Sequence, residues 1–155
     1  MENISISKRK IVGKGRYLTS YKNILSNMHF DKNEIEDGII SLEESDEILE
    51  IQSKKRRMSN KKEKHFLFDN KQEQWEFIQN NITEEYPLYV AIWPYSQYCG
   101  LFRVNSLSFQ NICFPFNLEN NGVITFISEY VDIVLDYYKD NLENRCMNIE
   151  IYSKK

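Results

Sequence analysis

Backbone breakers and covalent staples are scarce in this chain of 155 residues, which has five glycines, three prolines, three cysteines and two histidines. So little glycine and proline excludes collagen-like, linker-like and low-complexity architectures. Cys99, Cys113 and Cys146 form no CxxC pair, and any single disulfide leaves one thiol over, which points to reduced thiols in a cytoplasmic protein. His29 and His65 stand in no HxH, HExxH or HxxxH spacing, so neither a zinc site nor another cofactor is expected. No run approaches the roughly 20 apolar residues of a membrane span. Even the least charged stretch, Tyr86 to Leu118, carries Arg103. The basic N-terminus has no apolar segment behind it, so a secretory signal is not expected.

What is present suits a packed domain. Hydrophobic residues make up 41% and aromatic residues 14%, enough for a core, and the length fits one domain over residues 1–155. The net charge of -3 conceals two blocks of opposite sign. Residues 31–51 hold Asp31, Glu34, Glu36, Asp37, Glu43, Glu44, Asp46, Glu47 and Glu50 against a single lysine. Lys54, Lys55, Arg56, Arg57, Lys61, Lys62 and Lys64 follow, and Met58 is the only apolar residue between Gln52 and Lys64. Residues 52–64 therefore read as an exposed basic loop. Neighbouring blocks of opposite charge either pair with each other as solvated surface, or one of them steers a partner of the other sign.

Hydrophobic spacing predicts the elements. Alternation from Asn3 to Val12 predicts an edge strand bearing lysines, ended by Gly13-Lys14-Gly15. Tyr17, Tyr21, Ile24, Leu25 and Met28 fall on one face of a helix. Residues 31–58 read as a strand or short helix on each side of an acidic turn. His65–Phe68 predicts a short strand, and Asp69 with Gln72 a capping box opening a helix marked by Trp75, Ile78 and Ile82. Leu88–Trp93 is apolar throughout, as a strand covered on both faces would be. Tyr98–Val104 can pair with it as a hairpin, and Phe109–Phe116 is a further candidate strand. Asn120-Asn121-Gly122 is a turn signal before Val123–Ile127. Tyr130–Tyr138 alternates as a strand, although a helical period also fits it, and Met147–Tyr152 closes the meander. The fold class expected is α+β: an antiparallel sheet, mostly from the C-terminal half, packed by helices near 17–29 and 70–82.

Catalytic signatures are missing. Gly13-Lys14-Gly15 matches neither a P-loop nor a dinucleotide fingerprint, and Ser20 and Ser106 sit in no GxSxG elbow. The carboxylates lie in polar stretches where no displaced pKa is expected, so an enzyme is not expected. For nucleic acid, Lys54, Lys55, Arg56, Arg57, Lys61, Lys62 and Lys64 make an electrostatic footprint, without the interleaved aromatics of a binding motif.

The last third adds a resemblance. Asn120-Asn121-Gly122-Val123-Ile124-Thr125-Phe126-Ile127-Ser128-Glu129, then Ile133-Val134-Leu135-Asp136-Tyr137-Tyr138, then Asn148-Ile149-Glu150-Ile151-Tyr152 resemble the C-terminal meander of small bacterial immunity proteins. These are the cytoplasmic antidotes to polymorphic and contact-dependent growth-inhibition toxins. The resemblance implies stoichiometric, tight binding to one toxin domain, often a nuclease, and brings no catalytic residues with it. An acidic docking face for such a basic partner is placed first at Glu43, Glu44, Asp46 and Glu47. Glu34, Glu36 and Asp37 come second, and Asp136 and Asp140, with Asp132 and Glu143 beside them on the meander, come last. A small nucleic-acid-binding or regulatory module acting through 54–64 is the alternative.

Overall fold

The computed structural model describes residues 5–81, 89–104 and 122–154. Its first element corrects the sequence. Where alternation predicts a strand, a helix forms, α1 (Ile6–Val12), with the Ser5 hydroxyl accepting from the Lys8 amide at 3.3 Å. The deciding partner is remote in sequence: helical geometry turns Arg9 inward, where its guanidinium holds both carboxylate oxygens of Asp46 at 2.8 and 3.0 Å. Gly13-Lys14-Gly15 does not end the element. The chain continues through a π-helical turn (Gly13–Tyr17) into α2 (Leu18–Asn27). Tyr21, Ile24 and Leu25 of α2 are buried, as their spacing predicts.

The acidic segment folds as two helices, α3 (Lys32–Gly38) after Asp31 and α4 (Leu42–Arg57) after Ser41. Ser41 Oγ accepts from the Glu44 amide at 3.1 Å and so satisfies a donor the first turn leaves free. Ser41→Ala is expected to cost about 1 kcal/mol, seen as a fall of roughly 2–4 °C in Tm.

The basic loop expected at 52–64 is not there. α4 runs to Arg57, and strand β1 (Ser59–Leu67) starts two residues later. Counting apolar residues misses both elements for physical reasons. The end of α4 is anchored by polar contacts: Lys55 Nζ donates to the Ser128 carbonyl at 2.7 Å and reaches Asp132 at 3.2 Å. β1 is an edge strand, paired along its length with β6 (Arg145–Lys154), from Ser59 opposite Lys154 to Leu67 opposite Cys146. An edge tolerates lysines, and Phe66 alone among its residues is buried. α5 (Lys71–Asn81) follows with Ile78 buried. The Gln72 amide turns forward to Glu76 at 3.3 Å, so the expected capping box with Asp69 is not what starts α5.

The remaining elements are β2 (Tyr89–Trp93), α6 (Tyr95–Cys99), β3 (Phe102–Arg103), β4 (Gly122–Ile127) and β5 (Val131–Lys139). The sheet is antiparallel in the order β1-β6-β5-β4-β2-β3, and the fold is α+β. The predicted strand Tyr98–Val104 shrinks to two residues because Tyr95–Cys99 is helical, following a cis Trp93–Pro94 bond. Tyr130–Tyr138 is a strand, not the competing helix. Phe109–Phe116, the Asn120-Asn121 turn, Ile82 and Cys113 lie outside the described residues.

Register assigns each side chain to a face. Phe66, Met147, Ile149, Leu135, Ile133, Ile124, Phe126, Val90 and Phe102 share the first face and form the main core with Tyr21, Ile24 and Leu25 of α2, Ile35 of α3 and Ile78 of α5. On the second face Ala91 and Ile127 meet Leu101, with Ile48 and Leu49 of α4 against them. β2 is thus covered on both faces, as its continuous apolarity predicts.

Candidate functional site

Where the expected docking acids stand depends on α1, which the sequence did not reveal as a helix. Asp46 is held by Arg9, and Lys10 meets Glu43 at 2.7 Å, which holds the Glu43 carboxyl below its usual pKa. Lys22 of α2 meets Glu36 at 3.2 Å. Three of the acids placed first and second are therefore paired within the chain. Glu34, Asp37, Glu44 and Glu47 have no ion pair among the described residues, and the last three are exposed. Asp140 is occupied differently: its Oδ1 accepts from the Leu142 and Asn144 amides, both at 2.9 Å, and these bonds hold its pKa down. It shapes the β5–β6 turn.

The basic block is likewise divided. Lys55 is tied to Asp132, the Arg56 guanidinium lies 4.7 Å from the Tyr152 ring centroid, and Lys61 meets Glu63 at 3.2 Å and Glu150 at 3.5 Å. Lys54 pairs with Glu50 one turn back at 3.4 Å. Arg57, Lys62 and Lys64 are left exposed without an ion pair among the described residues. Binding single-stranded nucleic acid needs a continuous cationic track for the phosphates and aromatic platforms on which the bases stack, and here the Tyr152 ring is already covered by Arg56 and Phe66 is buried beneath Lys64.

A third region emerges only from the strand register. α4 covers the second sheet face from Ala91 and Ile127 across to Asp132 and Tyr152. Beyond it the same face carries two rows of facing side chains, Glu63 opposite Glu150 opposite Val134, and His65 opposite Asn148 opposite Asp136. His65 Nδ1 lies 3.3 Å from the Tyr138 hydroxyl and its Nε2 lies 3.6 Å from Glu63. Lys61 and then Asn148 hold Glu63 below its usual pKa, and the Tyr152 hydroxyl donates to Glu150. Asp136 is different: beyond the strand ladder, its carboxylate has no hydrogen bond or ion pair among the described residues. Partial burial first, and the charge of Glu150 second, push its carboxyl above the ordinary value, with His65 pulling the other way. The Oδ1 of Asn148 beside it is buried without a partner. Val123 and Tyr138 flank Asp136 and are half-buried. The sequence named Asp136 last among the acids, yet it is a partly buried carboxylate that meets no ion-pair partner among the described residues. Alternation along β5 already put it on one face with Asp132 and Tyr138; its neighbours Glu63, His65, Asn148 and Glu150 needed the pairing of β1 with β6 and β5.

Other chemistry finds little support in the geometry. Burial pushes the Cys99 thiol up to about 11, so it is a poor nucleophile at neutral pH. A cleft of about 250 Å³ where α1, the π-helical turn and α6 meet the start of α4 is lined by Lys10, Lys14, Leu18, Ser41, Tyr98 and Cys99, and among the described residues no carboxylate or histidine is on its wall. Among the described residues no helix is long and apolar enough to cross a membrane. No protein-family model, curated protein or solved structure matches the chain.

Proposed function

We propose that this chain is an immunity-type protein that acts in the cytoplasm, binding a basic toxin domain one to one and neutralising it by occupation rather than by chemistry. The observation that carries the reading is Asp136: a half-buried carboxylate with no ion pair or side-chain hydrogen bond among the described residues, on a sheet face that α4 leaves open. A guanidinium or ammonium group from a partner would answer that charge, and desolvated charge pairs of this kind anchor protein interfaces. Glu34 and Asp37, unpaired on α3, would add to the field that speeds encounter with a cationic surface. The nucleic-acid alternative is weakened because Lys55, Arg56 and Lys61 are each engaged within the chain.

The test starts with the tagged protein drawn from its native cells at moderate salt, with mass spectrometry and a nucleic-acid assay on the eluate. A single protein partner at one-to-one ratio is expected, and Asp136→Lys is expected to weaken its binding at least tenfold while the far-UV spectrum stays unchanged. Recovery of RNA or DNA without such a partner, or undiminished binding by the variant, would overturn the reading.

A further inference from the structure

The outer face of α4 has a pattern that neither capping nor the core explains. Glu44, Glu47, Ile51, Lys54 and Met58 follow one another at steps of three, four, three and four, and all are exposed, Ile51 at 67% and Met58 at 75%. That spacing is the seam by which two helices pack side by side. On this helix it is left without a covering element among the described residues. Acids occupy the seam's first half, a base its second, with one apolar side chain between them and another at the far end.

The helix dipole favours acids in a first turn and bases in a last turn, and its influence fades within that turn. It accounts for Glu44 and does not account for Glu47, which lies beyond the first turn, or for two large apolar side chains held in water. Nor does the seam need its charges for the fold, since α4 is anchored by its other side, through Asp46 to Arg9 and Lys55 to Asp132. The pair Lys54 makes with Glu50 one turn back is exposed on both sides and contributes little.

We propose that this face is a homodimer seam, in which two copies of α4 pack antiparallel about a two-fold axis at Ile51. The occupant is a second copy because the charge pattern is complementary to itself when reversed. With Ile51 on the axis, Glu47 lies beside Lys54 of the second copy, Lys54 beside its Glu47, and Met58 lies along the stem of its Glu44. Every favourable contact therefore occurs twice, as an isologous interface requires. A parallel arrangement sets Glu47 against Glu47 and Lys54 against Lys54. The edge strand β1 has the opposite property: two copies paired antiparallel about Glu63 bring Lys62 against Lys64, so self-association by sheet extension is opposed where association by α4 is favoured. The four turns from Glu44 to Met58 extend about 21 Å at 1.5 Å per residue. A seam of that length gives an interface near the lower limit of about 1,000 Å² for a specific contact, hence a concentration-dependent dimer.

Sedimentation equilibrium of the full chain from about 10 µM to 1 mM tests this directly. The wild type is expected to pass from monomer to dimer, and added salt to weaken the dimer. Glu47→Lys and Lys54→Glu are each expected to weaken dimerisation at least tenfold, because each replaces two attractive contacts by two repulsive ones. The double variant Glu47→Lys/Lys54→Glu restores the dimer, and an equimolar mixture of the two single variants forms heterodimers. Both substitutions are on solvent-facing positions, and circular dichroism verifies that the variants fold. A wild type that stays monomeric through 1 mM overturns the proposal. So does a dimer indifferent to Ile51→Glu, or one lost in both single variants and not regained in the double.

Discussion

Lys55→Met is expected to destabilise the protein by about 3–5 kcal/mol at neutral pH, the cost of leaving a buried carboxylate without its cation. Asp132 is 0% exposed, lies beneath α4, and has Lys55 as its ion-pair partner at 3.2 Å. Its second oxygen has no hydrogen bond, and the facing Gln52 amide nitrogen is likewise unsatisfied. Burial is the larger influence and raises the Asp132 pKa; Lys55 first, and Arg56 behind it, oppose it. The folded chain therefore holds the Asp132 proton more tightly than the unfolded chain does. This group favours folding most below its ordinary value of 3.8, and that contribution is lost as the pH rises through the raised folded value. Removing Lys55 raises the folded pKa further, so the penalty of the variant must shrink as the pH falls. Urea titrations of wild type and variant between pH 4 and 8 are expected to show a gap widest at neutral pH and narrowing toward pH 4. A gap below about 1 kcal/mol, or one independent of pH, would show that water or another cation reaches Asp132. Lys55→Met/Asp132→Leu is expected to recover most of the loss, because an apolar pair of similar volume replaces a buried ion pair at little cost.

How much of this was legible in the sequence follows from which forces are local. β4 is marked by the turn signal before it and by its β-branched, apolar run, whereas β5 and β6 are strands with one face in the main core, and their periodicity of two is visible in the residues. Tyr21, Ile24 and Leu25 announce α2 by a periodicity of 3.6 for the same reason. The elements that were misread are those fixed mainly by polar contacts and few buried apolar side chains. α1 owes its helical geometry to Arg9, whose Nε also donates to the Gln97 carbonyl at 2.8 Å. The last turn of α4 is held by Lys55 and Arg56, and β1 by hydrogen bonds to β6; a count of apolar residues registers neither. The charge blocks were plain from composition. Their division, among the described residues, into paired acids (Glu36, Glu43, Asp46) and unpaired ones (Glu34, Asp37, Glu44, Glu47) is a tertiary fact, as are the surroundings of Asp136, which depend on what strand register leaves beside it.

Gly100→Ala is expected to cost about 3–5 kcal/mol, combining a backbone penalty of about 1–3 kcal/mol with the overpacking of a closed joint. Gly100 has φ +99 and ψ 172, a conformation open in practice to glycine alone. A Cβ there would stand 2.2 Å from the Ile40 carbonyl oxygen and 3.2 Å from Ser45 Oγ. Neither neighbour can withdraw freely. The Ile40 amide donates to the Leu101 carbonyl at 3.0 Å, the Leu101 amide donates to Ser45 Oγ at 2.9 Å, and Ser45 Oγ donates to the Ser41 carbonyl at 2.7 Å. On the other side the Gly100 carbonyl accepts from the buried Tyr21 hydroxyl at 2.9 Å, which in turn accepts from Ser96 Oγ at 3.1 Å. One residue thus joins α2, α4, α6 and the start of β3, so a displacement of its backbone loosens both faces of the sheet. Gly15→Ala is the control: a Cβ there meets nothing within 4 Å, and the variant is expected to match the wild type or gain up to about 1 kcal/mol from a stiffer unfolded chain. Thermal unfolding of the two variants side by side separates the contributions. If Gly100→Ala melts with Gly15→Ala, the joint between α4 and α6 yields readily and does not hold α4 against the sheet.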